Sequence, residues 1–173
     1  MKQLMGAVAV VLALCLILVV YNLTAPYRSV SMKFPSPKQA DATVSLQIKI
    51  PKNTELTKVE GNNQNAPLEA SLTRDGEVIG RLVCDSASSY SNQESVLEIY
   101  KVLMNRETVG WSFIRSRQSL NLKQIISKLV NADSDDGVLV QDKKSDMYVG
   151  IEIRKDALTD EAFDVLATGV AIK

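Results

Sequence analysis

Residues 68–84, LEASLTRDGEVIGRLVC, contain the pattern that says most about the fold of this chain. Apolar and polar residues alternate over 68–72, which is typical of a strand with one buried face. Asp75-Gly76 favours a tight hairpin turn, because both residues adopt positive φ easily. The apolar run over 78–84 then predicts the returning strand. A hairpin of this kind excludes a purely parallel sheet.

Alternation and helical periodicity predict further elements on both sides of this hairpin. They are a strand at 44–50 ended by Pro51, a helix behind a capping box at 91–94, a strand at 109–113, a helix after Ser119 with an apolar stripe up to Val130, a hairpin about 143–146 and a last helix from about Leu158. The order of these elements predicts an α+β domain over 42–173, with an antiparallel or mixed sheet and about three helices packed on it.

The N-terminal segment is the most apolar part of the chain. Every residue from Leu4 to Val20 is apolar or glycine, and about 20 helical residues match the ~30 Å hydrocarbon core of a bilayer. The sequence therefore predicts a retained transmembrane signal-anchor over 1–23. Tyr21 and Tyr27 flank its far end and are predicted to lie at the membrane interface, a position that aromatic rings favour.

Two alternatives stay open for this segment. One is a cleaved signal peptide, which Pro26 disfavours because it follows the candidate cleavage site at Ala25. The other is a lipoprotein signal ending at Cys15, although the bulky Leu14 stands where such signals have a small residue.

Residues 24–41 contain Pro26, Pro35 and Pro37 and predict an extended juxtamembrane linker. Anchor and linker together predict a single-pass protein of the bacterial inner membrane with an extracytoplasmic C-terminal domain. This orientation rests on the tendency of short N-terminal anchors to export the domain behind them, because positive charges lie at both ends of the segment and do not decide it.

The composition restricts the kinds of function. The 173 residues contain 20 Lys and Arg, 20 Asp and Glu and no histidine. A neutral chain lacks the basic excess of nucleic-acid binders, so we expect no nucleic-acid partner. Without histidine the commonest general base and metal ligand are missing, and we expect no enzyme activity, no cofactor and no metal site. The acidic run 133–136 lacks the spacing of a calcium loop and predicts a solvated turn that ends a helix.

Three arginines are the candidate binding residues. Arg115 and Arg117 lie two residues apart on a predicted strand, so both would project from one face and could hold an anionic ligand or partner. Arg106 lies a little upstream and completes the group. The alternative is a solvated strand face, or a sheet edge protected by charge. Nearby, Trp111 alternates with two apolar residues and is predicted to lie in the core, as is Cys84.

Three segments resemble Mog1/PsbP-like domains. The strand VSLQIKIPKN at 44–53 is similar to their opening strand, and the strand MYVGIEI at 147–153 with the helix LTDEAFDVLATGVAIK at 158–173 resembles their C-terminal part. The resemblance covers about the first and last thirds of the region after the linker. It implies a non-enzymatic accessory or assembly factor, since many such domains are secreted or membrane-tethered factors of this kind, and it implies no site residues.

These observations predict a membrane-tethered, non-enzymatic interaction domain. It would act as an accessory, assembly or inhibitory subunit of a membrane protein complex, with that complex and the lipid bilayer as its partners. The alternative function is a small-ligand or lipid-binding module of the cell envelope, with a pocket between sheet and helices.

Overall fold

The chain folds around a seven-stranded antiparallel sheet with a smaller three-stranded sheet beside it. This computed structural model describes residues 10–17, 20, 25–36, 43–59, 68–107, 109–119 and 123–173. The elements are β1 (Tyr27–Pro35), β2 (Thr43–Pro51), β3 (Thr54–Lys58), β4 (Leu68–Arg74), β5 (Glu77–Ser86), a 3-10 turn (Ala87–Tyr90), α1 (Val96–Met104), β6 (Trp111–Gln118), β7 (Gln124–Asn131), β8 (Asp135–Asp142), β9 (Met147–Arg154), α2 (Asp160–Thr168) and β10 (Ala171–Ile172). Over these residues the large sheet has the order β3-β4-β5-β9-β8-β7-β6, and the small sheet has the order β1-β2-β10.

The hairpin predicted from residues 68–84 is confirmed. Strands β4 and β5 pair antiparallel with Leu68 opposite Cys84. Asp75 and Gly76 form the turn with φ of 54° and 82°, as a two-residue hairpin turn with positive φ at both positions requires.

Both faces of the large sheet are covered. On one face, called here the α1 face, helix α1 packs on a cluster that includes Leu129 and Leu139. On the other, called the α2 face, the small sheet and α2 pack on a larger cluster that includes Ile126 and Val149. Because consecutive residues of a strand point to opposite faces, the inner strands β5, β7, β8 and β9 contribute side chains to both clusters.

The predicted fold class is wrong, because the chain is mostly β-sheet. The second of the three predicted helices, after Ser119, is strand β7, which pairs with β6 and β8. The apolar spacing of residues 125–130 fits a helix as well as a strand. A strand covered on both faces loses the polar–apolar alternation that would identify it, and the β-branched Ile125, Ile126 and Val130 favour the extended form.

Helix α1 exists but begins later than predicted. Its N-cap is Ser95, whose Oγ accepts a hydrogen bond from the Glu98 amide, while the Glu98 carboxylate accepts one from the Ser95 amide. This reciprocal pair is a capping box, four residues beyond the one predicted at 91–94. The helix ends at Asn105, which has a left-handed backbone.

The prediction of a membrane anchor is contradicted. No helix among the described residues is long and apolar enough to cross a membrane. This finding overturns the predicted single-pass inner-membrane protein with an extracytoplasmic domain. Residues 1–9, 18–19 and 21–23 of the predicted anchor lie outside the described part.

Strand β1 lies within the segment 24–41 for which a linker was predicted. It pairs with β2 over nine residues, from Tyr27 opposite Pro51 to Pro35 opposite Thr43. Phe34 is 2% exposed and belongs to the core on the α2 face. Pro26 directly precedes this strand and Pro35 ends it, and a missing amide hydrogen costs least at the ends of a strand.

Candidate functional site

A groove of about 830 Å³ opens on the α2 face, at one end of the large sheet. One wall is formed by the end of β6, the start of β7 and the β8–β9 turn, and the other by β2, the end of α2 and β10. The lining residues are Lys49, Arg117, Gln118, Ser119, Lys123, Gln124, Ile126, Asp142, Lys144, Thr168, Gly169, Val170, Ala171, Ile172 and Lys173.

The lining of this groove is strongly positive. Lysine and arginine side chains come to it from five segments of the chain, whereas Asp142 is the one acidic residue among the described residues that line it. We call it the basic groove and define it by its cations, Lys49, Arg117, Lys123, Lys144 and Lys173. Cations gathered around a concave surface concentrate the positive potential there.

The floor of the basic groove is a buried polar network. Gln124 is 6% exposed and Asp142 is 5% exposed. The Gln124 Nε2 donates to Asp142 Oδ2 at 3.1 Å and to the Val170 carbonyl at 3.0 Å. Asp142 Oδ1 accepts hydrogen bonds from the backbone amides of Lys144 and Ser145 and from the Ser145 hydroxyl. The Asp142 carboxylate therefore makes its hydrogen bonds within the protein.

A second carboxylate, Asp164 of α2, lies beside Arg117 but does not line the basic groove. Arg117 Nη2 lies 3.6 Å from Asp164 Oδ1, with both side chains more than 40% exposed. Exposed pairs of this kind contribute only about 0–1 kcal/mol, so Arg117 can exchange Asp164 for a ligand at little cost. The Thr168 hydroxyl donates to the Asp164 and Val165 carbonyls and satisfies part of the helix end that faces the groove.

A β-bulge directs the two predicted arginines toward this region. In the pairing of β6 with β7, the register shifts between Phe113 and Arg115. Trp111 and Phe113 precede the shift and lie on the α1 face, opposite Asn131 and Leu129. Without the extra residue Ile114, plain alternation would place 115 and 117 on that same face.

After the bulge, the arginines lie on the α2 face instead. Arg115 is opposite Lys128, and Arg117 is opposite Ile126. The two side chains share a small recess with Lys128, Phe163 and Asp164. The structure therefore brings Arg115 and Arg117 together, and Arg117 continues into the basic groove.

Arg106 does not join them, because it lies on the α1 face beside Glu152. Its Nε and Nη2 donate to the two carboxylate oxygens of Glu152 at 3.1 and 2.5 Å. The Glu152 side chain is only 6% exposed, and this hydrogen-bonded carboxylate raises the pKa of the Arg106 guanidinium. Arg106 therefore holds a buried carboxylate in place.

Arg81 occupies a similar position one strand away. Its Nη1 contacts Glu69 Oε1 at 3.4 Å, and its Nη2 donates to the Met104 carbonyl at the end of α1. Tyr100 donates to the Ile151 carbonyl at 3.1 Å. Together with the Arg106–Glu152 pair, these contacts join α1 to the large sheet.

The remaining predicted residues lie away from the basic groove. Tyr21 lies outside the described residues, and Tyr27 is half-buried at the start of β1. Trp111 is in the core, 9% exposed, with its ring centroid 5.1 Å from that of Tyr100. Cys84 is also in the core, and burial raises the pKa of its thiol far above the usual range.

The acidic run 133–136 does not end a helix, because residues 133 and 134 lie in the β7–β8 turn and residues 135 and 136 begin β8. The Asp133 amide donates to Asn131 Oδ1, and the Ser134 hydroxyl donates to Asp135 Oδ2. No group of three His, Cys, Asp or Glu side chains in the described part of the chain is arranged to hold a metal ion.

Comparison with known proteins gives no family for this chain. No protein-family model matches it, and no curated protein is similar to it at a significant level. Its function has to be inferred from the geometry of the site.

Proposed function

We propose that this chain is a non-enzymatic interaction domain, accessory in kind, that binds an acidic segment of a partner protein in the basic groove. One observation carries the proposal, namely that cations from five segments surround a groove in which the acidic residue Asp142 is already hydrogen-bonded within the fold. Carboxylates of a partner would form charge-assisted hydrogen bonds with these side chains.

The expected affinity follows from the exposure of the cations. A single exposed ion pair contributes up to about 1 kcal/mol, so one or two pairs give only millimolar binding, for which about 4 kcal/mol is enough. Micromolar binding requires about 8 kcal/mol. A partner must therefore contact several cations at once and also make apolar contacts with residues such as Ile126 and Ile172. An acidic segment with interspersed apolar residues can make both the ion pairs and the apolar contacts.

A selection of peptides tests the proposal. A display library of random dodecapeptides is panned against the full chain, and the composition of the enriched peptides is compared with that of the input. We expect enrichment of glutamate and aspartate. Selected peptides should bind the Lys144→Glu variant at least tenfold more weakly, a loss of about 1.4 kcal/mol, because a cation of the groove is then replaced by an anion.

The matched control is Lys58→Glu. Lys58 is an exposed lysine of β3, at the opposite edge of the large sheet from β6. This variant should retain the affinity of the wild type within about twofold, since screening removes most of the influence of a charge across such a distance. Enrichment of neutral or basic peptides, or equal losses in the two variants, would overturn the proposal.

The volume of the basic groove favours one second candidate function. About 830 Å³ lies within the range of small-ligand sites, roughly 300–1,000 Å³, so the groove could hold a small polycarboxylate. Titration with citrate separates the two candidates. Submicromolar binding of citrate with no enrichment of peptides would favour the small ligand.

A further inference from the structure

The two edges of the large sheet differ in how they are covered. Among the described residues, β3 and β6 are the edge strands. Strand β3 has five residues, and the carbonyl of its first residue, the fully buried Thr54, accepts a hydrogen bond from Arg28 of β1. Strand β6 has eight residues, seven of them exposed. A long exposed edge presents backbone amides and carbonyls to which another strand can pair.

The side chains along β6 form a two-sided pattern. Arg115 and Arg117 lie on the α2 face, while Phe113 lies on the α1 face and is 46% exposed. Ile114, in the bulge between them, is 51% exposed. A strand added beside β6 would meet positive charge on one face and an aromatic ring on the other, because residues opposite each other in a sheet share a face.

The pairing with β7 shows the spacing that such a strand needs. Ile126, Lys128 and Leu129 lie opposite Arg117, Arg115 and Phe113. A strand of the same geometry on the outer side places two residues, two positions apart, against the arginines. The residue next to this pair then lies against Phe113. The complementary motif has four positions. An acidic residue faces Arg117, any residue follows, a second acidic residue faces Arg115, and an apolar residue faces Phe113. A strand that runs in the opposite direction needs the reverse order.

A second copy of β6 does not fit this edge. Antiparallel self-pairing keeps the faces aligned, so Arg115 and Arg117 of both copies would line up on the α2 face. Like charges directly opposite each other destabilise a strand pair. The partner must therefore carry the opposite charge.

We infer that β6 is a docking edge at which an extended acidic–apolar segment of a partner protein adds as an eighth strand. Its acidic residues contact Arg115 and Arg117, its apolar residues cover Phe113, and its continuation enters the basic groove at Arg117. Main-chain hydrogen bonds supply affinity and the alternating side chains supply specificity, as in other cases of strand addition. This inference rests on the proposed function and states how the acidic segment is held.

Amide hydrogen exchange of the full chain, read by NMR, tests the inference. The probe is a blocked octapeptide of alternating glutamate and valine, and the control is a peptide of the same composition with all glutamates before the valines. On addition of the probe, the outward amides of β6, which do not bond to β7, should exchange roughly tenfold more slowly. The control peptide should leave them unchanged.

Three outcomes would overturn strand addition. They are failure of the alternating peptide to bind at millimolar concentration, binding without protection of the outward β6 amides, and equal protection by the two peptides. The proposed function is tested separately. If acidic peptides are selected and lose affinity in Lys144→Glu while the β6 amides stay unprotected, the basic groove binds them and strand addition is wrong.

Discussion

Positive charge lies on both faces of the large sheet, but its surroundings differ. On the α1 face, Arg81 and Arg106 contact Glu69 and Glu152, whose side chains are 8% and 6% exposed. On the α2 face, the basic groove gathers cations around Asp142, which already accepts hydrogen bonds from Gln124 and Ser145. The arginines on the α1 face are paired with buried carboxylates. The five cations of the basic groove outnumber Asp142, the one acidic residue among the described residues that line it.

This difference separates structural charge from charge that can serve a ligand. A buried carboxylate that loses its cation remains buried and uncompensated, so the pair is costly to break. An exposed cation is hydrated whether or not a ligand is present, so its removal changes binding more than folding. The two faces should therefore respond to substitution in opposite ways.

The largest expected effect on stability is from Arg106→Ala. This change leaves the buried Glu152 without its bidentate partner and should lower the free energy of unfolding by about 2 kcal/mol, less than the ~3–5 kcal/mol of fully buried pairs because Arg106 is half exposed. Urea denaturation measures it. The matched control is Arg154→Ala, which breaks a bidentate pair with Glu77, a residue 66% exposed. A loss no larger for Arg106→Ala than for Arg154→Ala would contradict the assignment.

A somewhat smaller effect is expected at the floor of the basic groove. Gln124→Ala removes the donor to Asp142 and to the Val170 carbonyl, and unsatisfied buried groups cost about 1–3 kcal/mol. We expect a loss of about 1.5 kcal/mol in urea denaturation. Gln141→Ala, on the neighbouring strand β8 and half-buried, should stay within about 0.5 kcal/mol of the wild type. Equal effects would mean that the Gln124 network does not support the groove.

A change in pH dependence is expected from Asp85, on the α1 face. Burial is the main cause of its raised pKa, against hydrogen bonds from Tyr90 and the Ser86 amide. Between pH 3.8, the usual pKa of an aspartate in the unfolded chain, and the higher folded-state pKa, the folded protein keeps a proton on Asp85 that the unfolded chain has released. The stabilisation from this protonated Asp85 is present below pH 3.8 and is lost as pH rises through the folded-state pKa. The difference in unfolding free energy between wild type and Asp85→Asn should fall over that window and then level off. A difference that rises with pH would contradict the direction of the shift.

The smallest effect on stability is expected from the double variant Arg115→Ala/Arg117→Ala. Both side chains are exposed on β6, so the free energy of unfolding should change by less than about 0.5 kcal/mol. Binding of acidic peptides should weaken at least tenfold. A variant that unfolds more easily and binds normally would show that these arginines protect the sheet edge and have no part in binding.

Local signals in the sequence account for part of the fold. Alternation over 68–72 and Asp75-Gly76 predict the β4–β5 hairpin correctly, and Trp111 and Cys84 lie in the core as expected. Strand β7 cannot be recognised from alternation, because both of its faces are covered and its polar and apolar residues do not alternate. The resemblance to Mog1/PsbP-like domains stays a prediction.

The basic groove was less accessible to sequence reasoning. Its cations come from β2, β6, the start of β7, the β8–β9 turn and the segment after α2, so no local motif marks them, and a net charge of zero conceals their clustering. Arg115 and Arg117 were found because they are close together on one strand. The face on which they lie depends on the bulge at Ile114, for which the sequence gives no clear signal.

Titration of a selected acidic peptide against wild type, Lys144→Glu and Lys58→Glu tests the central claim most directly. We predict that Lys144→Glu, in the basic groove, weakens binding at least tenfold, while Lys58→Glu, at the other edge of the sheet, changes it by less than about twofold. The three proteins should unfold at the same denaturant concentration. Equal affinities for the two variants would contradict the claim that the basic groove is where the partner binds.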